Sequence, residues 1–179
     1  MLFTIGTSNR SADQFFETLK KYGVSRIIDV RSKPWSRLPQ WRLQEAQQEA
    51  IARGFKFTWQ GKVLGGLNDI PTNVPLYQKI IENVVALADQ HNVAVYCSEG
   101  DPSECHRSWK VGSYFLARHG VVVQNILRDG STEDITKTLL RTHPDNIPDC
   151  LRVEALTLSY HAEGKTLPGW LQPPQAQEA

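Results

Sequence analysis

The sequence predicts an α/β fold: one domain with a largely parallel five-stranded sheet and helices on both faces. Three observations lead there. Short apolar runs alternate with stretches of helical periodicity through residues 1–130. The run Val93–Tyr96 is apolar without alternation, as a strand covered on both faces requires. Helix-start and helix-stop residues recur between the runs, so the connections read as right-handed crossovers rather than hairpins.

The elements follow in order. Leu2–Ile5 is the first apolar run, ending at Gly6. Ser11 and Gln14 stand at capping-box spacing, and Phe15, Phe16 and Leu19 share the inner face of the helix they open. Lys20 and Lys21 suit its negative end, and Gly23 stops it. Ile27–Val30 is the second strand. Leu43–Arg53 reads as a helix closed by Gly54, and Phe55–Trp59 as the third strand. Residues 61–75 read as a long loop punctuated by glycine and proline. Leu76–Gln90 is a helix with Ile80, Ile81, Val84, Leu87 and Ala88 inward. After the fourth strand, Asp101, Pro102 and Glu104 predict a helix start, with the helix running to His119 and stopping at Gly120. Val121–Leu127 is the fifth strand. Thr132–Thr142 is a candidate helix, and Leu151–Leu158 has no decisive period. The domain therefore spans 1–167, with a core over 1–130, a helical extension over 131–167 and a loose tail over 168–179.

Lysine and arginine number 20 against 19 acidic residues, a formal charge of +1. No global field therefore draws the chain to nucleic acid or to an acidic surface, and any such affinity must be local. The three cysteines, Cys97, Cys105 and Cys150, are odd in number and have no framework spacing, which favours a reducing compartment. The opening MLFTIGTSNR has no leader pattern, and no apolar run approaches the roughly 20 residues of a membrane span. A cytoplasmic protein without a membrane partner is expected.

Ligands of open parallel sheets bind beyond the carboxyl ends of the strands. The polar residues expected at those ends are Thr7, Ser8, Asn9 and Arg10; Arg31, Ser32 and Lys33; Lys62; Cys97, Ser98, Glu99, His106 and Arg107; and Arg128 and Asp129. Much of the basic charge thus gathers on one edge, suited to an anion. Trp35 and Trp41 stand among Arg31, Lys33, Arg37 and Arg42, where they either stack bases or cover the core.

The segment Cys97–Ser108 concentrates the chemistry. Cys97 ends a buried strand facing a helix start, and Cys105, His106 and Arg107 follow within that helix. Either cysteine is a candidate nucleophile with His106 as base and Arg107 as anion holder, and either is also a candidate small core residue. Cys97, Cys105 and His106 are candidate metal ligands, with Asp29 as a possible hard fourth. No cofactor is identified by motif.

The strings TIGTSNRS (4–11), IDVRSKPWS (28–36), LGGL (64–67) and VYCSEGDPSECHRS (95–108) resemble the domain-of-unknown-function family 488. That resemblance implies a cytosolic α/β domain with a polar site built from these motifs, and no established activity. A more distant likeness is to rhodanese-type sulfurtransferases and thiol phosphatases. Without Asp101–Cys105, the loop reads Cys97-Ser-Glu-Gly100-His106-Arg107-Ser108, similar to their Cys-x-x-Gly-x-Arg-Ser loop.

The function expected is binding of a phosphate-bearing ligand, a nucleotide or nucleic acid. Ser8, Asn9, Arg10, Arg31, Ser32, Trp35, Glu99 and Arg107 are the candidate contacts, and Cys97, His106 and Asp29 the candidate catalytic groups. The competing classes are a non-enzymatic nucleic-acid module and a sulfurtransferase or phosphatase working through Cys97.

Overall fold

The computed structural model describes residues 1–8, 10–68 and 70–172. Its strands are β1 (Leu2–Gly6), β2 (Val24–Asp29), β3 (Lys56–Trp59), β4 (Asn92–Cys97), β5 (Gln124–Ile126) and β6 (Thr132–Asp134). Its helices are α1 (Ala12–Lys21), α2 (Leu43–Ala52), α3 (Gly61–Leu64), α4 (Pro75–Gln90), α5 (Ser113–His119), α6 (Ile135–Arg141) and α7 (Asp149–Ala162). The sheet order is β3-β2-β4-β1-β5-β6. All pairings are parallel except β5 with β6, which is antiparallel.

The sheet is therefore six-stranded rather than five-stranded. The additional strand is a polar Thr-Glu-Asp edge at the start of the candidate helix Thr132–Thr142, of which Ile135–Arg141 is helical. A three-residue edge strand carries no usable period, and it is held by its antiparallel ladder to β5.

Helix α1 forms for the reason its sequence suggests. The Ser11 side chain accepts from the Gln14 backbone, the Gln14 side chain accepts from the Ser11 backbone, and Gly23 takes φ +62° beyond the end. Its inner face, Phe15, Phe16 and Leu19, packs with Phe3, Ile5, Ile27, Trp41, Ala50 and Phe55 on one side of the sheet. The other side carries the larger core, built from Tyr77, Ile81 and Val84 of α4 with residues of α5, α6 and α7. Leu87, expected inside, is 39% exposed, because the buried stripe of α4 runs through Tyr77, Ile81 and Val84 and Leu87 lies beside that face.

The expected helix from Asp101 to His119 is broken. Asp101 caps a short 3-10 turn over Pro102–Glu104, and Cys105 is then extended (φ −120°, ψ 136°). A wider, π-type turn over Arg107–Gly112 follows and leads into α5. The cap and Pro102 start a turn as their chemistry dictates, but the turn does not propagate through Cys105. Within the stretch read as a loop, Gly61–Leu64 makes one helical turn. The stretch with no decisive period is helical, as α7. Of the expected tail, Gly169–Leu171 forms a 3-10 turn and Leu171 is buried in the larger core; residues 173–179 lie outside the described residues. No helix among the described residues is long and apolar enough to cross a membrane.

Candidate active site

The parallel register brings Gly6 of β1 level with Cys97 of β4, and Asp29 of β2 level with Tyr96. The three central strands thus end together, and the segments leaving them form the site. Gly6 is required there. A Cβ at this position would lie 1.8 Å from the Glu99 carbonyl oxygen, so only glycine lets the loop after β4 cross the end of β1.

Beside that crossing is a cavity of about 260 Å³. Arg31, Ser32 and Lys33 line it after β2, Gly66 and Leu67 after α3, Cys97, Ser98 and Glu99 after β4, and Glu104, Cys105, His106 and Trp109 from the following turns. Cys97, Cys105 and His106 converge, with ligand atoms all within 4.8 Å of one another. The His106 Nδ1 is 3.7 Å from Cys97 Sγ and 3.9 Å from Cys105 Sγ. Its Nε2 lies 3.0 Å from the Val30 carbonyl oxygen. A carbonyl only accepts, so Nε2 donates its hydrogen to Val30 and Nδ1 is the ring nitrogen turned toward both sulfurs.

The ring is held from outside as well. A Cβ on Gly66 would meet His106 Cγ at 2.6 Å, so the absence of a side chain at residue 66 lets the ring sit where it does. Trp109 packs edge-on to the ring at 6.2 Å between centroids.

The two thiols form one coupled pair. The hydrogen bond from Cys97 favours a Cys105 thiolate, burial opposes it, and His106 and Arg107 reinforce it, leaving Cys105 below the ordinary thiol range. Cys97 is correspondingly raised, by its bond to Cys105 and by burial. The first proton leaves readily and the second is held.

The arginines expected to meet an anion are occupied by the protein. Arg31 is 4% exposed. Its Nε and Nη2 donate to the two Asp29 carboxylate oxygens at 2.9 and 2.6 Å, its Nη1 to the Trp41 carbonyl, and its Nη2 also to the Tyr96 hydroxyl. Arg107 is fully buried and donates to Thr4 Oγ1 and to the carbonyls of Glu99 and Gly100. The loop thus turns carbonyls toward Arg107, the reverse of an anion cradle. Arg10 donates to the carbonyls of Gly6 and Leu127. Asp29 is fully buried and belongs to the Arg31–Tyr96 network; the groups that meet His106 are the two cysteines and the Val30 carbonyl.

Of the other expected residues, Ser32 and Glu99 line the cavity. Ser8 lines a neighbouring groove with Glu99, Asp101, Arg128 and Arg141, and Arg10 lines a third with Arg128 and Asp129. Trp35 is 67% exposed, two residues beyond Lys33, whereas Trp41 is buried against Phe15, with centroids 5.1 Å apart. Asn9 lies outside the described residues. The Val30 carbonyl, Gly66, Leu67 and Glu104 fall within the motifs from which a polar site is expected but are not singled out as site residues there, and Trp109 lies outside those motifs.

The wall formed by Arg31, Ser32, Lys33, Gly66 and Leu67 lies in a recognisable stretch. Residues 11–79 match the family model of DUF488, a domain of unknown function. The DUF488 match covers one side of the cavity; Cys97, Cys105 and His106 lie beyond it. No curated protein and no solved structure matches the chain.

Proposed function

We propose that this protein is an enzyme acting on a small phosphate-bearing ligand, a nucleotide or the end of a nucleic-acid strand, at the Cys97–Cys105–His106 cluster. The observation that carries the reading is the convergence of these three groups on a cavity at the carboxyl ends of β2 and β4. Lys33 on its wall is exposed and supplies the positive charge that the committed Arg31 and Arg107 do not. Trp35, two residues beyond Lys33 and exposed, supports a role in stacking a base, and Leu67 adds an apolar surface to the cavity wall.

Binding of a mononucleotide and of a short single-stranded oligonucleotide, followed by anisotropy, tests this. Trp35→Ala is expected to weaken binding about 5- to 150-fold, the range for losing one base stack. Lys33→Ala is expected to reduce the salt slope for the oligonucleotide by about one. Unchanged binding in both variants refutes the ligand assignment. Binding that persists in His106→Ala together with loss of turnover assigns the chemistry to the cluster, and binding without turnover in the wild type favours a non-enzymatic module.

A further inference from the structure

We infer that Cys97, Cys105 and His106 are the three protein ligands of a Zn²⁺ ion whose fourth position opens into the cavity. This goes beyond the ligand reading above and does not depend on it. The first argument is the donor set: two sulfurs and one imidazole nitrogen are the soft ligands that select tetrahedral zinc.

The second is distance. Zinc–sulfur and zinc–nitrogen bonds at a tetrahedral angle set S···N edges of about 3.6 Å and S···S edges of about 3.8 Å. The observed S···N separations, 3.7 and 3.9 Å, are 0.1 and 0.3 Å longer than that edge, and all three ligand atoms lie within 4.8 Å of one another, so a small inward shift closes the site on an ion. They are long for hydrogen bonds between a thiol and an imidazole nitrogen, so those bonds alone are a poor reason for the histidine to approach both sulfurs.

The third is the histidine. A metal-bound imidazole characteristically donates its other N–H to a protein acceptor, which fixes the ring. The His106 Nε2 makes that bond to the Val30 carbonyl at 3.0 Å, leaving Nδ1 as the ligand atom. Gly66, by carrying no side chain, leaves room for the ring in that orientation. All three ligand residues are at most 9% exposed, so the ion would be shielded from solvent on the protein side.

The coordination number follows from the surroundings. Among the described residues the cluster contains no fourth histidine, cysteine or carboxylate donor. Three ligands with the remaining direction facing a cavity is the arrangement of a zinc that binds water or substrate, as opposed to a closed structural site. Glu99 and Glu104 line the same cavity.

Cobalt titration of the full chain, under reductant and without nucleotide, tests the inference. One Co²⁺ per chain is expected, with the intense visible absorption of tetrahedral thiolate-bound cobalt, bleached by added Zn²⁺. Cys150→Ser should retain that spectrum, since Cys150 lies outside the cluster. His106→Ala should bind more than about 100-fold more weakly, beyond the range for losing a mere outer-shell partner. A folded wild-type chain that takes up no cobalt, or shows only the pale octahedral spectrum, overturns the inference. If His106→Ala does not fold, the wild-type stoichiometry and spectrum still decide. The outcome is independent of nucleotide affinity, so this inference and the ligand reading can fail separately.

Discussion

Gly66→Ala is the smallest change that reaches the cluster without touching a polar group. A Cβ at residue 66 would stand 2.6 Å from His106 Cγ and 2.8 Å from both its Cβ and Nδ1, whereas ordinary contact begins at 3.4 Å. The ring or the loop must therefore give by about 0.8 Å. The imidazole has little room to do so, with Trp109 against its edge and the sulfurs of Cys97 and Cys105 before Nδ1. Taken along the Nε2–Val30 bond, now 3.0 Å, the shift would carry the pair out of hydrogen-bond range. Overpacking with partial loss of that bond costs about 1–3 kcal/mol. In a chain of this size, that lowers Tm by about 2–12 °C. Urea denaturation and thermal melting measure it, with Gly169→Ala as control, because a Cβ there meets nothing within 4 Å. Alkylation of Cys105, followed by mass spectrometry, should accelerate in Gly66→Ala as the ring moves aside. If Gly66→Ala is as stable as Gly169→Ala and its thiols label at the wild-type rate, the ring is not confined by residue 66 and the reasoning fails.

Two further expectations concern the frame around the site. Asp29→Asn leaves the Arg31 guanidinium buried without its carboxylate, and should cost about 3–5 kcal/mol in urea denaturation; a loss below about 1 kcal/mol would mean that water enters and solvates Arg31. Burial works to raise Asp101, but hydrogen bonds from the Ser103 backbone and from Arg141 outweigh it and hold the carboxyl below its usual range. Its charge therefore stabilises the fold above the unfolded value of about 3.9 and loses that contribution as pH falls through the lower folded value. Asp101→Asn keeps a capping oxygen and loses the charge. It should be less stable than wild type at pH 7, by under about 1 kcal/mol because the ion pair is half exposed, and the gap should close in acid. A gap that widens on acidification would contradict this sign.

Local signals were read correctly where the chemistry is local. The Ser11–Gln14 box and the glycines at 23 and 120 act within a few residues of themselves, and the structure uses them as expected. The same kind of signal misled at Asp101–Glu104, where a sound cap opens a turn that ends at an extended Cys105. That residue's backbone conformation accompanies its place in a cluster with Cys97, which no local propensity encodes. The arginines illustrate the limit most clearly. Arg107 donates to Thr4, 103 residues away, and Arg31 to Tyr96, 65 residues away. From sequence alone, such side chains cannot be told apart from free surface cations. Conversely, the cluster was partly legible because Cys97, Cys105 and His106 lie within ten residues, although the Val30 carbonyl that orients the histidine is 76 residues from it.

The position of β1 has a consequence for how the chain reaches this state. The earliest of these six strands in sequence lies between β4 and β5, pairing Leu2 with Val93 and Phe3 with Gln124. Neither neighbour exists until more than 90 and more than 120 residues have followed it. The amino-terminal segment therefore cannot settle as it leaves the ribosome, and its apolar run must wait, open to misassociation, for distant partners. High sequence separation of paired strands also slows folding. Cys97 lies opposite Gly6 at the end of that same ladder, so the seat of its thiol depends on a pairing between segments about 90 residues apart.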